Sequence, residues 1–159
     1  SMKNEEFIQQ RLLEESQKLL EAQFYFPVFF LVSQGMETLG SFLDKKPLGA
    51  KGQSKKRFHL AVNKLFPKTY ADLTDNDWLY KQLRCTMSHM CSPGGFIVLE
   101  RKTKSKNNHL QLVASKRIFI IEDLVTDFQK ACLLVIEGLE SGAIKQKAMA
   151  FSEIQNYKL

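Results

Sequence analysis

The chain has no apolar run long enough to span a bilayer. Its most apolar stretch, residues 24–32, is interrupted by Pro27 and falls short of the roughly 20 residues a membrane helix needs. A charged amphipathic segment precedes that stretch, so it does not read as a signal peptide, and a cytoplasmic location is expected. Cysteine is scarce. Cys85, Cys91 and Cys132 are odd in number and lack the paired spacing of a disulfide framework, which fits a reducing compartment. Cys85, His89 and Cys91 lack a fourth ligand at usual spacing, so no metal site is expected. Nucleotide-binding glycine fingerprints, metalloprotease motifs, serine-nucleophile elbows and internal repeats are also missing, and no cofactor is implied.

What remains is an ordinary globular composition, 44% hydrophobic and 25% charged over 159 residues, which suits one domain spanning residues 3–159. The opening Ser-Met reads as an expression scar. Net charge is +6, an excess that favours an anionic partner such as RNA. That charge is concentrated. Residues 45–57 carry six positive charges and no acid, and residues 101–117 again carry six and none. Lys55, Lys56 and Arg57 in the first segment, Arg101, Lys102, Lys104 and Lys106 in the second, and Lys81 between them are the candidate RNA-backbone contacts.

Hydrophobic periodicity predicts a mainly α fold. Helices are expected over residues 4–23, with Ile8, Leu12, Leu13, Leu19 and Leu20 on one face, and over 27–43, opened by Pro27 and striped by Leu31, Val32, Met36, Leu39, Phe42 and Leu43. Gly35 and Gly40 in the second helix suit close approach of another helix, including one across a dimer. A third helix over residues 54–65 places Phe58, Ala61, Val62 and Leu65 inward, with His59 beside them in a structural role. Thr74, Asp75 or Asn76 is expected to cap the next helix, whose inner face is Trp78, Leu79, Leu83, Met87 and Met90. After Pro93, Gly94 and Gly95 the pattern turns extended, and a small antiparallel β-meander is expected within residues 96–121. A helix over 122–139 and a short final one over 143–155 complete the reading.

Arg84 and His89 carry the functional signal. Arginine is a permanent cation with a planar fork of donors matched to phosphate, and histidine exchanges a proton near neutrality. Five residues turn an α-helix through about 500°, leaving the two side chains about 140° apart. They meet only if the helix loosens at its glycine-rich end or if a second subunit completes the site. Cys85 and Ser88 flank them, and Glu37, the one acid in an apolar and hydroxylic helix, is the natural partner to hold Arg84.

Arg84-x4-His89 near the end of an amphipathic helix, in a small helical chain that opens with two long helices, resembles the HEPN family, whose members carry Arg-x4-6-His there. The resemblance implies an antiparallel helical bundle, here with the β-structure inserted after the motif helix. Many HEPN proteins are metal-independent ribonucleases that dimerise so that two motifs face each other; others are non-catalytic interaction modules. The family often has Asn, Asp or His after the arginine, where this chain has Cys85. The resemblance therefore implies a homodimeric endoribonuclease of a toxin–antitoxin or phage-defence setting. The alternative is a non-catalytic module that dimerises or holds RNA or an antitoxin-like protein.

Overall fold

The computed structural model describes residues 2–149. The first helix, α1, is continuous through Asn4–Phe7, Ile8–Glu14 and Glu15–Glu21, with its middle stretch wound as π-helix. It is followed by α2 (Tyr25–Ser41), α3 (Ser54–Leu65) and the single turn α4 (Lys68–Ala71). The motif helix, α5, runs through Tyr80–Cys85, again π-wound, and Thr86–Met90. Three strands, β1 (Ile97–Glu100), β2 (Leu112–Val113) and β3 (Lys116–Ile120), lead into the long helix α6 (Ile121–Ser141).

The helices form where apolar spacing and chain breakers allow. Pro27 lies in the first turn of α2, where its missing N–H leaves no bond unmade. Gly142 ends α6 in the left-handed conformation, at φ 81°, that glycine adopts without steric cost. Phe29, Phe58, Tyr70, Phe119 and Phe128 are fully buried in one core gathered from α2, α3, α4, β3 and α6. Leu124, Phe128, Ala131, Cys132, Val135, Ile136 and Leu139 all face it, as their spacing along α6 requires.

Both α2 glycines are used within the chain, not across a dimer. A Cβ at Gly40 would overlap the Arg57 carbonyl, so α2 and α3 touch backbone to backbone there. At Gly35 the Phe128 ring fills the vacant space.

The extended segments do not form a meander. The sheet order is β1-β3-β2; β1 runs parallel to β3, pairing Val98 with Ile118 and Leu99 with Phe119. Only β2 is antiparallel to β3, through a tight hairpin whose central residues, Ala114 and Ser115, both have positive φ. Alternation of side chains identifies strands but not their direction, and the long connection over residues 101–111 leaves room for the crossover a parallel pair needs.

Three local expectations also change. Thr74 does not cap the motif helix; its hydroxyl donates to the Ala71 carbonyl, and Asn76 and Asp77 form a left-handed turn before α5. Met90 is 71% exposed instead of lying in the core. Residues 143–149 are not helical but an irregular strap laid back over the chain's start: Asn4 Nδ2 donates to the Lys147 carbonyl at 2.9 Å, and the Asn4 side chain accepts from the Lys147 N–H at 2.7 Å. The remainder of the expected last helix lies outside the described residues.

Candidate functional site

The motif helix lies beside α2 in antiparallel order. Midway along it Arg84 Nε lies 2.9 Å from Glu37 Oε1, and the Gln34 amide donates to the Arg84 carbonyl at 3.1 Å. Just past its end Cys91 lines one hollow with Phe26, Pro27 and Phe30. Phe26, Phe30, Gln34 and Glu37 follow one another at helical spacing, so a single face of α2 reads along α5 from the apolar end to the charged end.

Glu37 does hold Arg84. The two side chains keep 23% and 21% of their surface, while the contacting atoms are shielded from water. The Arg84 Nε–H is not aligned with the carboxylate oxygen as a hydrogen bond, so the contact is an ion pair. It fixes the Nε edge of the guanidinium, and among the described residues the outer fork has no hydrogen-bond partner, which leaves it open to an anion.

Winding decides what else stands there. In a π-turn the backbone bonds join residues five apart, so Tyr80 and Cys85 come to one side. The Tyr80 phenol is held above its ordinary pKa, first by burial and then by the facing Cys85 thiol and Glu37 carboxylate, with Arg84 acting against them. Tyr80 therefore stays a neutral donor. Its ring lies 6.0 Å from the Arg84 guanidinium carbon and 6.2 Å from the His59 ring. His59 Nε2 sits 3.7 Å from Asp77, which also pairs with Lys55 at 3.0 Å; that lysine holds the Asp77 carboxyl below the usual carboxylate range.

Within the chain Arg84 is paired with Glu37, while His89 lies on the last α-helical turn. The helix end does not loosen: Cys91 closes it in the left-handed conformation, and Gly94 N–H then returns to the Gln82 carbonyl at 2.8 Å. His89 and Ser88 stand exposed on the last turn. Beside them lies uncovered apolar surface, with Phe26 54% and Phe30 38% exposed around a hollow of about 330 Å³.

The basic residues divide by environment. Arg57 is buried and structural, its guanidinium bonded to Asp44 at 2.7 Å and to the Leu48 and Pro47 carbonyls, so it is removed from the RNA-contact set. Arg101 stacks over the Tyr25 ring at 4.6 Å. Lys102 is exposed but pairs with Asp123, whereas Lys56, Lys81, Lys104 and Lys106 project into water. Tyr25, which meets Arg101, and Glu37, which meets Arg84, are separated by about 18 Å along α2. Lys55 of the first cationic segment pairs with Asp77 just before the motif helix, and Arg101 of the second meets Tyr25 at the start of α2.

The sequence singles out Arg84 and Cys85 by spacing and Glu37 as a lone acid, and sets Tyr80 on the remaining face of the motif helix as a residue able to stack on a base; π-winding instead brings it against Cys85 and Arg84. Among the described residues no helix is long and apolar enough to cross a membrane. Comparison with protein-family models, with curated proteins and with solved structures gives no match.

Proposed function

We propose that this chain is a HEPN-like endoribonuclease that works without a metal and as a two-fold dimer. The observation that carries the reading is the Glu37-anchored Arg84 on the same helix as an exposed His89. Arg84 offers its outer guanidinium edge to a phosphodiester and stabilises the charge that develops on it. An imidazole takes the proton of the 2′-hydroxyl as that oxygen attacks phosphorus, and a second imidazole returns a proton to the departing 5′-oxygen. The products are a cyclic phosphate and a free 5′-hydroxyl.

One chain supplies one His89, and the two imidazoles of this reaction call for a second copy. The uncovered surface of Phe26, Phe30 and Met90 next to His89 supports such an arrangement, since burying it would bring two motif-helix ends together. The flanking Lys56, Lys81, Lys104 and Lys106 suit a backbone track. A toxin–antitoxin or phage-defence setting follows from the resemblance and belongs to the same proposal.

A non-catalytic RNA- or protein-binding module, including one that holds an antitoxin-like protein, is favoured by a different observation. Cys85 follows Arg84 and faces Tyr80, where relatives often carry Asn, Asp or His. Cleavage of structured and unstructured RNA in excess chelator separates the two. Cyclic phosphate ends that vanish in both R84A and H89A establish the nuclease. A folded, dimeric wild type that cuts no RNA rejects it in favour of the module.

A further inference from the structure

Away from the motif helix, a buried hydrogen-bonded relay ties the connection between β1 and β2 to the helical body. The Ile120 backbone N–H donates to His109 Nδ1 at 3.0 Å, so that nitrogen carries a lone pair. In the neutral ring the proton is therefore on Nε2, which points at the Tyr70 hydroxyl 2.6 Å away. Tyr70 in turn donates to Asp127 Oδ2 at 2.7 Å. Every donor and acceptor is used once, and the direction of the whole relay follows from one backbone N–H.

A second proton on His109 breaks this arrangement. Nδ1–H and the Ile120 N–H would then face each other as two donors. Ile120 cannot turn away, because it pairs with Glu100 in the sheet and directly precedes α6. The ring must leave instead, and residues 101–111 lose their buried anchor; the bonds that tie them to β3, from the Leu110 N–H to the Ile118 carbonyl at 2.7 Å, from the Ile118 N–H to the Gln111 carbonyl at 2.9 Å and from the Arg117 guanidinium to the Leu110 carbonyl at 3.0 Å, must then hold without it. Leu110, the next residue, is already held at φ 68°, a left-handed conformation that a leucine adopts only under strain.

We infer that the His109–Tyr70–Asp127 relay is a proton-sensitive latch that helps to dock the cationic segment of residues 101–111 and loosens it when His109 becomes doubly protonated. Groups facing the ring come from each neighbouring element. Tyr70 is on α4, with Asp72 just after it; Asp123 and Asp127 are on α6; and Arg117 and the Phe119 ring are on β3. Burial lowers the His109 pKa, and the two α6 carboxylates only partly offset it, so the latch stays closed at neutral pH and opens in acid. Glu100, which accepts from Ser105 and Asn107, and Lys102, bound to Asp123, keep the rest of the segment folded on itself or loosely tethered. The exposed Lys104 and Lys106 would move with it.

The test is hydrogen exchange and imidazole NMR on the full chain between pH 7.5 and 4.5. As the His109 ring titrates, exchange at the Ile120 and Leu110 amides, corrected for its intrinsic pH dependence, should rise by about tenfold per pH unit relative to the Phe128 amide. In H109N, whose amide oxygen can replace Nδ1 as acceptor but takes up no proton, that rise should be absent. Protection at Ile120 and Leu110 that persists while the wild-type ring titrates overturns the latch. So does a ring that remains neutral until the entire chain unfolds, or the same rise in a folded H109N. The wild-type measurements decide without the variant.

Discussion

Glu37 and Arg84, 47 positions apart in the chain, meet at 2.9 Å across the α2–α5 interface with their contacting atoms shielded from solvent. Breaking the pair leaves a charge partly buried and uncompensated. E37A is expected to destabilise the chain by about 1–2 kcal/mol, below the cost of a fully buried pair because each side chain keeps about a fifth of its surface in water. In urea unfolding, R84A added to E37A should cost less than R84A alone. Independent, additive costs would show that the pair does not couple.

Acid should weaken the chain through Asp44. Burial pushes its carboxyl up, but bonds from Arg57, Lys147 and the Lys46 N–H outweigh that and bring it down to about 2 from an ordinary 3.8. The unfolded chain therefore takes up the proton first as pH falls. About 2 kcal/mol of stability, present above pH 4, is withdrawn as pH drops toward 2. D44N should be less stable at neutral pH and should flatten this part of the stability profile measured by urea unfolding.

The cationic segments should separate by their environments. If RNA follows the exposed track, K104E combined with K106E should weaken binding and lower the slope of log affinity against log salt by about 1–2, as read by fluorescence anisotropy. R57A should instead lower the unfolding midpoint, since its guanidinium is spent on Asp44 and two loop carbonyls.

Thiol labelling gives an independent check on the core. Cys91 is exposed and should react first with a disulfide reagent. Cys132 is buried in α6 and its thiol is pushed up to about 12, so it should react only on unfolding. Cys85, half-buried against Tyr80, should fall between them.

The sequence by itself determined the main helices, because their signal is local, though not the course of residues 143–149. The stripe Phe58, Ala61, Val62 and the breakers around it set α3 at residues 54–65, and seven apolar positions of α6 were all legible as core. Glu37 stood out as the lone acid of its helix and did find Arg84. Tertiary structure alone decided what depends on partners remote in the chain. Apolar alternation marked β1 and β3 but not their parallel pairing, which backbone hydrogen bonds and the crossover select. Arg57 looked like one more cation in a basic loop until Asp44 and two carbonyls compensated its burial. His109 carried no motif at all; Tyr70, Asp127 and the Ile120 N–H give it a tautomer and a task only after the fold has removed them from water. Periodicity is written residue by residue, whereas the state of a charge or a proton is set by desolvation and by the groups that close around it.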